Sequence, residues 1–79
     1  MNDNIGTMWN RKGTLINDIR AAARYLGRKM DVIPNSVIIS LAEDMKEMEG
    51  AALQTGLPIR AEKYILTGTF WVGFEEETG

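Results

Sequence analysis

Arg20, Arg24 and Arg28 recur at every fourth position, and Lys29 follows the last of them. Side chains at that spacing stand one above another on a single helix face. Guanidinium groups so arranged capture oxyanions in a bidentate way, either carboxylates of an acidic protein or phosphates. The same spacing also describes a solvated face whose charges suit the helix macrodipole. Trp9 and Trp71 form a second set. A large ring with one N–H is a common anchor of protein interfaces, and the same ring packs equally well between the sheets of a dimer. The positions expected to meet a partner are therefore Arg20, Arg24, Arg28, Lys29, Trp9 and Trp71.

Glu43, Asp44, Glu47 and Glu49 make a later segment acidic. Glu43 and Glu47 are like charges four apart, and acids late in a helix oppose its dipole. Such penalties imply bases nearby, and the arginines of the first helix are the expected partners, within the chain or across a dimer. A carboxylate pair holds Mg²⁺ or Ca²⁺ only with further ligands. None stands beside it in the sequence, so no metal and no cofactor are expected.

Histidine and cysteine are both absent from the 79 residues. Imidazole bases, thiolate chemistry, disulfides and the usual zinc sites go with them. "GTFWVG" has the two glycines of a phosphate loop but neither its Lys nor its Ser/Thr. No nucleophile stands in a motif with a base, so the chain is not expected to be an enzyme. No apolar run approaches the roughly 18 residues of a membrane span. No signal-like segment opens the chain, and a cytoplasmic location is expected. Net charge is −2 and the pI is near 5.0. Bases nevertheless outnumber acids through residue 32, and acids outnumber bases after it. Such a polarised chain suits an acidic partner or a second copy of itself.

The elements that must position these groups follow from hydrophobic period and from breakers. Residues 1–79 read as a single domain. "IGTMWN" is a short strand and "RKG" a turn. Thr14 caps a helix over about 15–26, with Leu15, Ile19, Ala22 and Leu26 on one face and Gly27 at its end. Asn17 leaves the capping box incomplete. Pro34, Asn35 and Ser36 open a second helix, expected over 35–54, which passes Gly50 and stops before Gly56 and Pro58. Unbroken alternation from Tyr64 to Phe74 reads as one long strand, preferred over a hairpin at Thr67–Gly68. Its Tyr64, Phe70 and Phe74 are expected against the helices and Trp71 away from them.

The expected fold is a small α+β domain of order β-α-α-β, with the helix pair on one face of an antiparallel sheet. "GTMW" at 6–9 and "GTFW" at 68–71 then become neighbouring ribbons. Their glycines mark a bulge or leave room for a neighbour's ring. Two strands alone make a weak sheet with a free edge, so a homodimer with a continuous sheet is expected.

Residues 4–50 read strand, helix, turn, helix, the second helix starting on Asn35–Ser36. This loosely resembles the ribbon-helix-helix DNA-binding family. The resemblance implies Thr7, Trp9 and Arg11 as base readers and Asn35 and Ser36 at the phosphate backbone. The leading functional expectation is a non-enzymatic module, a regulator or inhibitor, that binds another protein. The alternative is a ribbon-helix-helix-like repressor that binds nucleic acid.

Overall fold

Thr14 starts the first helix as its type requires. Its hydroxyl accepts from the Asn17 amide at 3.3 Å, and α1 runs Leu15–Tyr25. These facts come from a computed structural model that describes residues 4–76. Leu15, Ile19 and Ala22 are buried along α1, as their spacing predicts. The helix does not stop at Gly27. It widens into a π-helical turn over Leu26–Met30, and Asp31 (φ 54°) ends it in the left-handed region. The wider turn keeps Leu26 fully buried while its carbonyl accepts from both Asp31 and Val32.

The second helix begins far later than expected. Ser36–Ser40 is a strand, β2, and all five of its residues are buried. A strand covered on both sides shows a continuous apolar run rather than alternation, and periodicity cannot tell that run from a helix. The β-branched Val37-Ile38-Ile39 decides it, because such side chains fit a pleated sheet better than a helix. Helix α2 is Met45–Thr55. The Asp44 carboxylate caps it, accepting from Lys46 N at 2.7 Å and Glu47 N at 3.3 Å. Gly50 lies inside it and Gly56 (φ 74°) closes it, both as predicted.

Pro58 then leads into β3, Ile59–Glu62. Residues 63–68 are turns, so the expected strand over 64–74 is shortened to β4, Thr69–Phe74. The break sits at Gly68, whose φ of 83° no strand residue adopts. A hairpin is not formed either, because β2 lies between β3 and β4. The sheet order is β1-β4-β2-β3, with β1 being Ile5–Asn10. β1 and β4 pair antiparallel, as expected of the two outer segments, and so do β2 and β4, while β2 and β3 are parallel. The chain is thus an α+β domain with two helices on one face of a four-stranded mixed sheet. Its order is β-α-β-α-β-β rather than β-α-α-β.

Leu15, Ile19, Ala22, Leu26, Val37, Ile39, Ala51, Phe70 and Val72 form the core between helices and sheet. Phe70 is there as expected. Phe74 shares its side of β4 but is 40 % exposed, and Tyr64 is exposed in the turn. Gly6 stands opposite Gly73, and Met8 opposite Trp71, on the side that carries no helix. The ribbon-helix-helix arrangement is not formed. Its second helix would start where the chain instead enters the sheet, with Asn35 N donating to Gly73 O at 2.9 Å.

Candidate functional site

Two arginines are paired with carboxylates inside the chain. Arg11, just past β1, is only 16 % exposed. Its Nε donates to Asp18 at 2.8 Å, one Nη to Glu43, and the other to Glu47 at 3.3 Å and to Gly13 O at 3.0 Å. Burial alone would depress this guanidinium. The hydrogen bonds to Glu43 and Asp18 reverse that and hold it above its ordinary value. Glu47 also accepts from Leu15 N at 2.9 Å, so a carboxylate from α2 satisfies one of the unpaired amides at the start of α1. Glu43, just before α2, and Glu47 within it therefore do meet a base, but it is Arg11 and not the arginine stripe. Arg11 is correspondingly unavailable as a base reader.

Arg60 on β3 grips Glu75 with both nitrogens, at 2.6 and 2.9 Å, and reaches Glu62 at 3.1 Å. The Arg60 guanidinium, helped by the Ser36 hydroxyl, lowers the Glu75 carboxyl to about 2. Asn35 closes the same corner reciprocally. Its amide nitrogen donates to Glu75 O at 2.9 Å, and Glu75 N donates to its oxygen at 2.8 Å. Asn35 and Ser36, expected at a phosphate backbone, are engaged here instead.

Arg20, Arg24, Arg28 and Lys29 are all exposed, and none forms an ion pair among the described residues. Arg24, Arg28 and Lys29 line a concavity of about 210 Å³ with Ala21 and Tyr25. Arg20 lies outside it. Tyr25 then meets Trp9 edge-on, with ring centroids 5.2 Å apart at 79°. Trp9 stands on the helix side of β1, and its Nε1 donates to the Thr7 hydroxyl. A second groove of about 350 Å³ runs along Thr7, Met8, Trp9 and Tyr25. Tyr25 thus joins the basic concavity to the outer margin of β1.

Trp71 is placed elsewhere. It lies half-buried on the helix-free side, over Gly6 and Gly73, beside a hollow of about 340 Å³ lined also by Met8, Ile38, Tyr64 and Ile65. The structure therefore brings Arg24, Arg28, Lys29 and Trp9 to one margin and leaves Trp71 on the opposite face. Tyr25 is the functional candidate that sequence reading passed over. Its signal was its place just after Arg24, on the flank of α1 rather than opposite the core.

Among the described residues no group of acids converges as a metal site, and no helix is long and apolar enough to cross a membrane. Compared with family models, curated proteins and solved structures, the chain matches none.

Proposed function

We propose that this chain is a non-enzymatic protein-interaction module, a small regulator or inhibitor of another protein. Its docking surface is the flank of α1 formed by Arg24, Arg28 and Lys29 around Tyr25, and it takes a carboxylate-bearing surface. One observation carries this reading. Arg11 and Arg60 are each committed to internal carboxylates, while Arg20 and Arg24 of α1 and Arg28 and Lys29 of the π-helical turn have none among the described residues. Of the acids that were candidates to neutralise them, Glu43 and Glu47 are held by Arg11 and Asp44 caps α2. A solvated cationic flank beside an aromatic ring favours acidic partners through complementary potential and bidentate pairing.

The test is titration of an oligoglutamate peptide, followed by amide chemical shifts at low salt. Shifts should centre on Arg24, Tyr25, Arg28 and Lys29. Arg24→Glu with Arg28→Glu should weaken binding by about tenfold or more without unfolding the domain. Equal binding by that double variant would remove the reading. Tighter binding of a short DNA duplex, lost steeply as salt rises to about 150 mM, would replace it with nucleic-acid binding.

A further inference from the structure

Among the described residues, the margin of the sheet beside this flank is an open strand, β1. Arg11 N donates to Gly68 O at 2.8 Å, and the β1–β4 register extended by one residue sets these two opposite. In an antiparallel pair, residues that bond to the partner alternate with residues whose N–H and C=O point away. Trp9, Thr7 and Ile5 therefore turn their backbone groups toward β4. Gly6, Met8 and Asn10 turn theirs outward.

Edges are ordinarily guarded by short length, charge, proline or bulges. The other margin obeys this rule: β3 has four residues, carries Arg60 and Glu62, and follows Pro58. β1 has six residues, no charge and no proline, and its register with β4 is unbroken. It is the unguarded edge, and it lies against the groove that Tyr25 shares with the basic concavity.

We propose that β1 receives an extended acidic segment of the partner protein by strand addition. This rests on the docking reading above and specifies the partner's shape. A strand added about 4.8 Å from β1 would alternate its side chains between the two faces of the sheet. One set falls beside Trp9 and Tyr25, under Arg24, Arg28 and Lys29. The other falls beside Gly6 and Met8 on the helix-free face. Charge complementarity asks for carboxylates in the first set and apolar groups in the second. A second copy of this chain fits poorly. Pairing β1 with its own copy about a two-fold axis normal to the sheet sets one basic flank against another, and like charges so placed oppose association.

The experiment uses the whole chain with a peptide of alternating glutamate and valine. Its controls are the same peptide N-methylated at alternate residues and a helix-forming glutamate–alanine peptide of equal charge. Amide exchange at Gly6, Met8 and Asn10 should slow by about tenfold or more on binding, with Ile59–Glu62 unaffected. N-methylation should weaken binding by about tenfold or more, since it removes ladder donors and leaves the charge. Binding that survives N-methylation with those three amides unchanged overturns strand addition and leaves the basic flank standing. Failure of every acidic peptide to bind overturns the docking reading itself. Protection of the three amides that grows with protein concentration, alongside a doubled mass in solution, gives the edge to a second copy and overturns the proposal.

Discussion

Trp71 lies across Gly6: a methyl group added at Gly6 would meet the indole Cζ2 at 2.3 Å and the Val72 carbonyl oxygen at 2.7 Å. The glycine of "GTMW" is thus the seat of a tryptophan on the neighbouring strand. Gly6→Ala should cost about 2–4 kcal/mol in urea denaturation, because both ring and strand must shift. Trp71→Leu in the same chain should recover about 1 kcal/mol of that, a coupling visible in a double-mutant cycle. Gly73→Ala offers the contrast. Its methyl would meet the Trp71 Cζ2 at 2.7 Å but, closer still, Ile5 O at 2.3 Å and Gly6 Cα at 2.5 Å; those two backbone clashes outlast the ring, so Trp71→Leu should rescue it less than it rescues Gly6→Ala. Strict additivity at Gly6 would mean that the indole is not what the glycine accommodates.

Arg11→Met tests whether one guanidinium holds three carboxylates together. Asp18, Glu43 and Glu47 would be left facing one another without a counter-charge. Breaking a partly buried ion pair from one side is costly, and about 2–4 kcal/mol is expected at pH 7. The variant's deficit relative to the parent should shrink as added salt screens the repulsion among the three carboxylates. Arg11→Lys should recover only part of the loss, since an ammonium cannot present the same planar fork. A deficit independent of salt would show packing, not charge, at this position.

Where local signals acted alone, the sequence was legible. Thr14 caps, Leu15, Ile19, Ala22 and Leu26 face inward, and Gly56 ends α2, each for reasons confined to one turn. β1 and its antiparallel pairing with the Thr69–Phe74 segment were legible because Thr and Trp favour a pleat. β2 was not. Its pattern is set by burial on both sides, a tertiary fact, and Pro34 with Asn35 and Ser36 imitates a helix start. The strand over 64–74 failed for the opposite reason. Ile65 is buried while Tyr64 and Leu66 are exposed, which imitates alternation inside a turn.

The candidate site divides along the same line. The exposure of Arg24 and Arg28 follows from helix period. That Glu43 and Glu47 would choose Arg11 across 32 and 36 residues does not, because it depends on how two helix starts meet beside the end of β1.

Gly50 interrupts α2 without any contact among the described residues that requires it: a methyl group there would have none of their heavy atoms within 4 Å beyond its own helix and chain neighbours. Its φ is not positive. Gly50→Ala should therefore stabilise the domain by about 0.5–1 kcal/mol, by narrowing the unfolded chain's freedom. The rise should appear as a higher urea midpoint with unchanged slope. A loss of stability would assign Gly50 a contact that the isolated domain does not show.

The acid limb of stability should carry the signature of Glu75. Its carboxyl titrates near 2 in the folded chain because Arg60 and Ser36 hold the charged form, against 4.5 ordinarily. Between those values the unfolded chain binds the extra proton. The contribution is therefore complete above about pH 5 and fades as the pH falls through 2. Arg60 is 44 % exposed, so solvent screening reduces what the shift alone implies to about 1 kcal/mol. Arg60→Gln removes the guanidinium and keeps Asn35 on the Glu75 backbone. Parent and variant should differ by about that amount at pH 7 and converge near pH 2, in urea midpoints measured at each pH. Curves that stay parallel to pH 2 would show that the Arg60–Glu75 pair contributes nothing through charge. The corner would then be closed by Asn35 and Ser36.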